Sequence, residues 1–177
     1  EAVARTFSLT DDLDPRRHLE IEGSYNVRDL GGYATRNGRR TRWGRLLRSG
    51  SLHRLQDAAQ QALLEYGLRT VIRLRRSKEL QTLPNPFFGS EKVAYYHQNM
   101  VGDAGLRETE NIPDALEVVE RKRRTYLVIL DECRSQVCAT LSLLSLSEIL
   151  PALFYCSAGR DRTGIIAALV LGICAVP

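Results

Sequence analysis

The residues from Cys156 to Gly164 read CSAGRDRTG, which sets a thiol six positions ahead of Arg162, with Gly159 between them and Thr163 directly after. An apolar piece, Pro151–Tyr155, runs into the thiol, and a long apolar run follows the arginine. The order is strand, loop, helix, in which loop amides and a helix N-terminus converge on one point and favour an anion there. Ser157 to Arg162 then turn their amides inward, and Gly159 allows the tight backbone this needs. Arg162 folds back over the same hole and grips a phosphate through two donors at once. A helix N-terminus or a nearby cation draws a cysteine's pKa from about 8.5 to about 3.5–7.5. The chemistry that follows is covalent: a thiolate attacks phosphorus, a phosphocysteine forms, and water releases it. Thr163 is placed to donate its hydroxyl to the sulfur when the sulfur leaves. No metal or other cofactor is called for, because the amides and Arg162 neutralise the charge.

A free cysteine is otherwise most often a small buried hydrophobe. That reading suits Cys133, Cys138 and Cys174, each within an apolar helical stretch. At Cys156 it leaves the arginine, both glycines and the hydroxyl unexplained.

An alkoxide leaving group needs a proton, whereas a phenolate, at a pKa of about 10, leaves more readily. Asp161, tethered inside the loop, is the first choice for general acid; its other role would be to bond loop amides or Arg162. Asp103, in VGDAG, is a second candidate, although such aspartates more often shape turns. Arg28 and Asp29 form a pair that braces the loop from behind, and Arg48 does the same or lines the mouth. Arg75 and Arg76 read as solvated surface arginines, and Glu120–Arg124 as the wet face of a helix. His18, His53 and His97 show no metal spacing and are given no role.

These residues need a frame. Asn37-Gly38 is the strongest hairpin signal, with Tyr33–Thr35 before it and Thr41–Trp43 after. LLRSGSL reads as a strand running into a turn at Gly50. Apolar residues at Leu55, Ala58, Ala59, Ala62, Leu63 and Tyr66 have helical spacing, and Gly67 stops that helix. LRTVIRLRR and KVAYYHQNM read as strands. A helix is predicted over Pro113 to Asp131 with Asn111 as cap, another over Ser135 to Ser147, and an apolar one over Arg162–Ala175, buried on all sides. Alternating helix and strand implies an α/β fold: a mostly parallel sheet flanked by helices, with an N-terminal β-hairpin.

At 177 residues, 44% hydrophobic and 26% charged, the chain suits one globular domain, with residues 1–18 as a loosely held arm. The formal net charge is +4, and 22 of the 25 basic residues are arginine. That balance fits an anionic substrate; no nucleic-acid partner is expected. The longest apolar stretch, Gly164–Val176, is shorter than the roughly 20 residues a membrane span needs. The cysteines show no CxxC pair, which points to a reducing, cytoplasmic setting, with secretion left open.

The loop resembles the C-x5-R-[ST] signature of the cysteine-dependent protein tyrosine phosphatases. Asn26–Leu55, with its Asn-Val-Arg-Asp-Leu-Gly-Gly stretch, and Tyr66–Arg75 narrow the resemblance. They match the atypical, mostly bacterial tyrosine/dual-specificity branch whose loop reads Cys-x-Ala-Gly-Lys-Asp-Arg-Thr-Gly. The resemblance implies that Cys156 is the nucleophile and Arg162 the clamp. It also makes Ser157, Ala158, Gly159, Arg160 and Asp161 the amide cradle. The substrate is then a phosphorylated protein, phosphotyrosine first, or a phosphoinositide, a tolerance that goes in the family with a rim cation such as Arg160. Three positions depart from the branch. Tyr155 stands where histidine is usual, Arg73 where an Asp-Leu-Arg segment has its aspartate, and the chain stops at Pro177 where further helices are expected. The first two make a phosphate-binding pseudophosphatase the alternative reading.

Overall fold

The computed structural model describes residues 14–79, 84–101 and 117–177. Two short apolar runs, Thr70–Arg73 (β3) and Ala152–Tyr155 (β5), are buried at every residue, as strands covered on both faces must be. They pair in parallel at the centre of a five-stranded sheet of order β1-β2-β5-β3-β4. Leu46–Ser49 (β2) and Ala94–His97 (β4) extend it in parallel on either side. Arg28–Asp29 (β1) is a two-residue antiparallel edge on β2. The mostly parallel α/β architecture expected from the sequence is therefore the one observed.

The helices are Asp57–Glu65 (α1), Val118–Glu132 (α2), Arg134–Ser145 (α3) and Asp161–Ile173 (α4). Side chains alternate across the sheet with period two. Val71, Leu153 and Tyr155 pack towards α1 with Leu47, Leu52 and Leu63. Ile72, Phe154 and Cys156 face the other layer, with Ile129, Val137, Ile165 and Ile166 from α2, α3 and α4. Truncating a residue as fully enclosed as Phe154 costs about 3–5 kcal/mol. Helix α1 ends as its sequence predicts: Gly67 takes φ +98°, and the amides of Gly67 and Leu68 return to the carbonyls of Leu64 and Leu63.

The hairpin at Asn37-Gly38 is observed: the amides of Gly32, Thr35 and Thr41 donate across it to the carbonyls of Thr41, Arg39 and Tyr33, and Ala34 bridges Arg40 outside the main sheet. Three expectations are corrected. Helix α4 is enclosed only at Thr163, Ile165, Ile166 and Ala167, and Ile173 is 72% exposed. Cys138 and Cys174 are exposed, and only Cys133 and Cys156 are buried. The arm is anchored at its end: Arg17 is buried, donates to the Gly31 carbonyl at 3.0 Å and stacks on the Tyr33 ring. The predicted start of the Pro113 helix, with its Asn111 cap, lies outside the described residues. The Glu120 side does form a wet face, where its carboxylate meets Arg123 and Arg124.

Candidate active site

Strand β5 delivers Cys156 to the sheet's carboxyl edge, where the chain turns and re-enters as α4. The loop is held by its carbonyls. That of Ser157 accepts from the Tyr25 hydroxyl at 2.9 Å and from the Ser51 amide at 3.0 Å. That of Gly159 accepts from Asn26 Nδ2 at 2.8 Å and from Arg48 Nη2 at 2.6 Å. Across a planar trans peptide the carbonyl and the next amide point opposite ways. Tying these two carbonyls to β2 and to the residues just before β1 and just after β2 therefore turns the amides of Ala158 and Arg160 to the loop's other side. Gly159 has φ +66°, and a Cβ there would lie 2.5 Å from the Ser49 carbonyl oxygen, so the loop rests directly on β2. The amides of Asp161, Arg162 and Thr163 open the first turn of α4, where no intrahelical acceptor exists.

Arg162 is fixed by a residue the sequence reading passed over. Its Nη1 donates to Glu79 Oε2 at 2.8 Å and its Nη2 to Ser157 Oγ at 3.1 Å. Ser157 Oγ in turn donates to Glu79 Oε1 at 3.1 Å, closing a triangle. Burial works against ionisation of Glu79. The Arg162 hydrogen bond and charge, the Arg76 amide and the Arg75 charge prevail and hold it at about 2, below the ordinary 4.5. One signal was available: Glu79 is the first acid after five cations in Arg69–Lys78.

Arg73 and Arg75 belong to the same scaffold. Arg73 is buried and donates to the Glu79 carbonyl at 2.5 Å. Arg75, expected to be solvated, is 4% exposed and donates to Glu79 Oε1. The cation that replaces the branch's aspartate thus orders the turn carrying the carboxylate that holds Arg162.

Cys156 is buried. Arg48 and Tyr126 of α2 both lie within electrostatic range of it. Thr163 is buried too, and its Oγ1 has no hydrogen-bond partner, so the expected donation to the sulfur is not made in this state. Asp161 bonds neither loop amides nor Arg162 with its side chain; Oδ1 accepts from the Tyr126 hydroxyl at 2.6 Å. That hydrogen bond, with burial, raises the phenol to about 12. Arg160 is exposed on the rim. Tyr155 points to the opposite face of the sheet from Cys156, where Asn85 donates to its hydroxyl at 2.6 Å. Burial pushes that phenol's pKa up.

The predicted pair of Arg28 and Asp29 separates. Asp29 is fully buried and accepts from the amides of Gly31 and Gly44 and from the Tyr66 hydroxyl, bracing the β1–β2 connection. Arg28 is exposed and lines a cavity beside the loop. Arg48 serves as both brace and lining. Asp103 lies outside the described residues. Among the described residues no cluster of metal-binding side chains occurs, and no helix is long and apolar enough to cross a membrane.

A buried thiol at the end of a central parallel strand, with a hydrogen-bonded loop leading into a helix, is the frame of the cysteine-phosphatase-like α/β proteins. A sequence model of the tyrosine phosphatase family matches residues 19–177, and the chain belongs to that family. It is 28% identical over 134 residues to a tyrosine-protein phosphatase of Nostoc commune, covering 74% of this chain and 44% of that one. It is 28% identical over 178 residues to the triple specificity protein phosphatase PtpB of Mycobacterium tuberculosis, covering 86% and 62%. It is also 29% identical over 180 residues to a putative tyrosine-protein phosphatase of Cupriavidus necator, covering 96% and 62%. The chain thus spans less than two thirds of the length of these curated relatives.

Proposed function

We propose that the chain hydrolyses phosphomonoesters, phosphotyrosine first, through a phosphocysteine. The observation that carries this is the two-sided hold on the loop. Carbonyls tied outward to Tyr25, Ser51, Asn26 and Arg48, and a guanidinium squared up by Glu79, prepare donors for an anion before one arrives. In the first step Cys156 Sγ forms the S–P bond while the P–O bond to the leaving group breaks. The amides of Ala158–Arg162 and the remaining donors of Arg162 take up the equatorial charge. Asp161, oriented by Tyr126, gives a proton to the departing oxygen. In the second step Asp161 takes a proton from water, whose oxygen attacks phosphorus. The sulfur leaves as thiolate, and the unpartnered hydroxyl of Thr163 is available to stabilise it.

The pseudophosphatase alternative loses its basis, since Tyr155 lies across the sheet and Arg73 serves the clamp. Phosphoserine, phosphothreonine and phosphoinositides are further substrates of this reading, on the strength of the exposed Arg160 and of the relative called triple specificity. The cytoplasmic placement is supported by four unpaired thiols. The test is turnover of para-nitrophenyl phosphate and a phosphotyrosine peptide by the wild type and by Cys156→Ser. Activity in the first and its loss in the second are expected. An inert wild type from mildly acidic to neutral pH overturns the proposal.

A further inference from the structure

Beside the loop lies a cavity of about 700 Å³, walled by Tyr25, Arg28, Arg48, Ala158, Arg160 and Gly164. Its charge is one-sided. Arg28 and Arg48 are directly opposed in the antiparallel β1–β2 register, an arrangement that costs stability when the charges are alike. The Arg48 guanidinium also lies beside the first turns of α4, with Nη2 3.7 Å from where a Cβ on Gly164 would stand, so the positive end of a helix adds to the field. Against the weaker opposing influence of Cys156 and Tyr33, burial and the charge of Arg28 press Arg48 towards its neutral form. Its Nε is buried without a partner. No carboxylate lines the cavity among the described residues, and Arg28, Arg48 and Arg160 make no ion pair there. Arg16, Arg123 and Arg124, by contrast, each hold an acid.

Three arginines lining one cavity without an acid call for an anion, and planar guanidinium forks suit a phosphate carrying nearly two charges. The space is several times that of one phosphate group, and the ring of Tyr25, 56% exposed, forms an apolar wall beside the cations. That combination fits a phosphorylated side chain together with the peptide that bears it. We propose that this cavity is a second anion subsite, in which Arg28 and Arg48, with Arg160 on the shared rim, hold a second phosphate of a peptide whose phosphotyrosine occupies the Cys156 loop. The inference rests on the proposed function for the first phosphate and adds the substrate class: doubly phosphorylated peptides.

The experiment is equilibrium binding to Cys156→Ser by calorimetry, which does not require turnover. The probes are a phosphotyrosine peptide, the same peptide with a second phosphotyrosine at each of the two positions on either side, and a soluble inositol bisphosphate. We expect at least one doubly phosphorylated peptide to bind about tenfold more tightly than the single one. Adding Arg28→Gln should return that ratio to near one, and Arg28→Lys should keep part of it. Equal affinity for all the peptides overturns the subsite, as does a preference that survives Arg28→Gln. A preference sensitive to Arg28 that appears only for the inositol bisphosphate overturns the assignment to peptides. Loss of aryl phosphate turnover in the wild type with the peptide preference intact would instead defeat the proposed function and leave the subsite standing.

Discussion

The two flanks of the Cys156 loop treat arginine in opposite ways. On the β3 side, Arg162, Arg75 and Arg73 gather around Glu79, through its carboxylate or its carbonyl, although Arg73 Nε and Arg75 Nη1 are buried without a partner. On the β1–β2 side, Arg28 and Arg48 face each other with no acid between them. A neutralised cation orients; an uncompensated one such as Arg28 is left to recruit, while Arg48 does both, holding the Gly159 carbonyl as it lines the cavity. The same residue type, abundant throughout this chain, is divided between the two tasks by where the single carboxylate of Glu79 falls.

The comparison can be broken at Cys156, the nucleophile of the proposed function, which both flanks border. Cys156→Ser should lower turnover about 10⁴-fold or more, read with an aryl phosphate. Glu79→Gln comes next: with the guanidinium no longer squared, kcat should fall about 10- to 100-fold. The same variant has a signature in stability. Glu79 is held at about 2 in the fold against an ordinary 4.5, so its carboxylate stabilises above that range. That contribution is lost as pH falls from about 4.5 to 2. The Tm gap between wild type and Glu79→Gln should therefore be open at neutral pH and close towards pH 2. A gap constant with pH would show that the pair is not ionic.

Gly159→Ala tests the seat of the loop on β2. A side chain at φ +66°, aimed at the Ser49 carbonyl, should cost about 2 kcal/mol or more and lower Tm by about 5 °C. Tyr126→Phe should reduce kcat only about threefold to tenfold, more for alkyl than for aryl leaving groups, since it frees Asp161 without removing it. Smallest of all, Glu120→Gln on the wet face of α2 should leave Tm and turnover unchanged.

What the sequence disclosed was local. Periodicity located α1, β3 and β5, and the spacing from Cys156 to Thr163 marked the loop, because these signals lie within a few residues of one another. What it concealed is long-range. Glu79 meets Arg162 across 83 positions, Asn26 meets Gly159 across 133, and Tyr25 meets Ser157 across 132. No periodicity records such pairings. Burial is hidden for a related reason: Arg75 looks solvated until Glu79 is known to await it, and α4 looks enclosed until the packing on Ile173 is known to be sparse. The hairpin at Asn37-Gly38 is legible because its turn chemistry, too, is local.

Along an extended strand, one step from Tyr155 to Cys156 carries a side chain through the sheet. The phenol answers to Asn85, Tyr95 and Arg73 on one surface, and the thiol to the loop on the other. The backbone layer works as an insulator between consecutive residues, so the identity of position 155 and the reactivity of position 156 are separately adjustable.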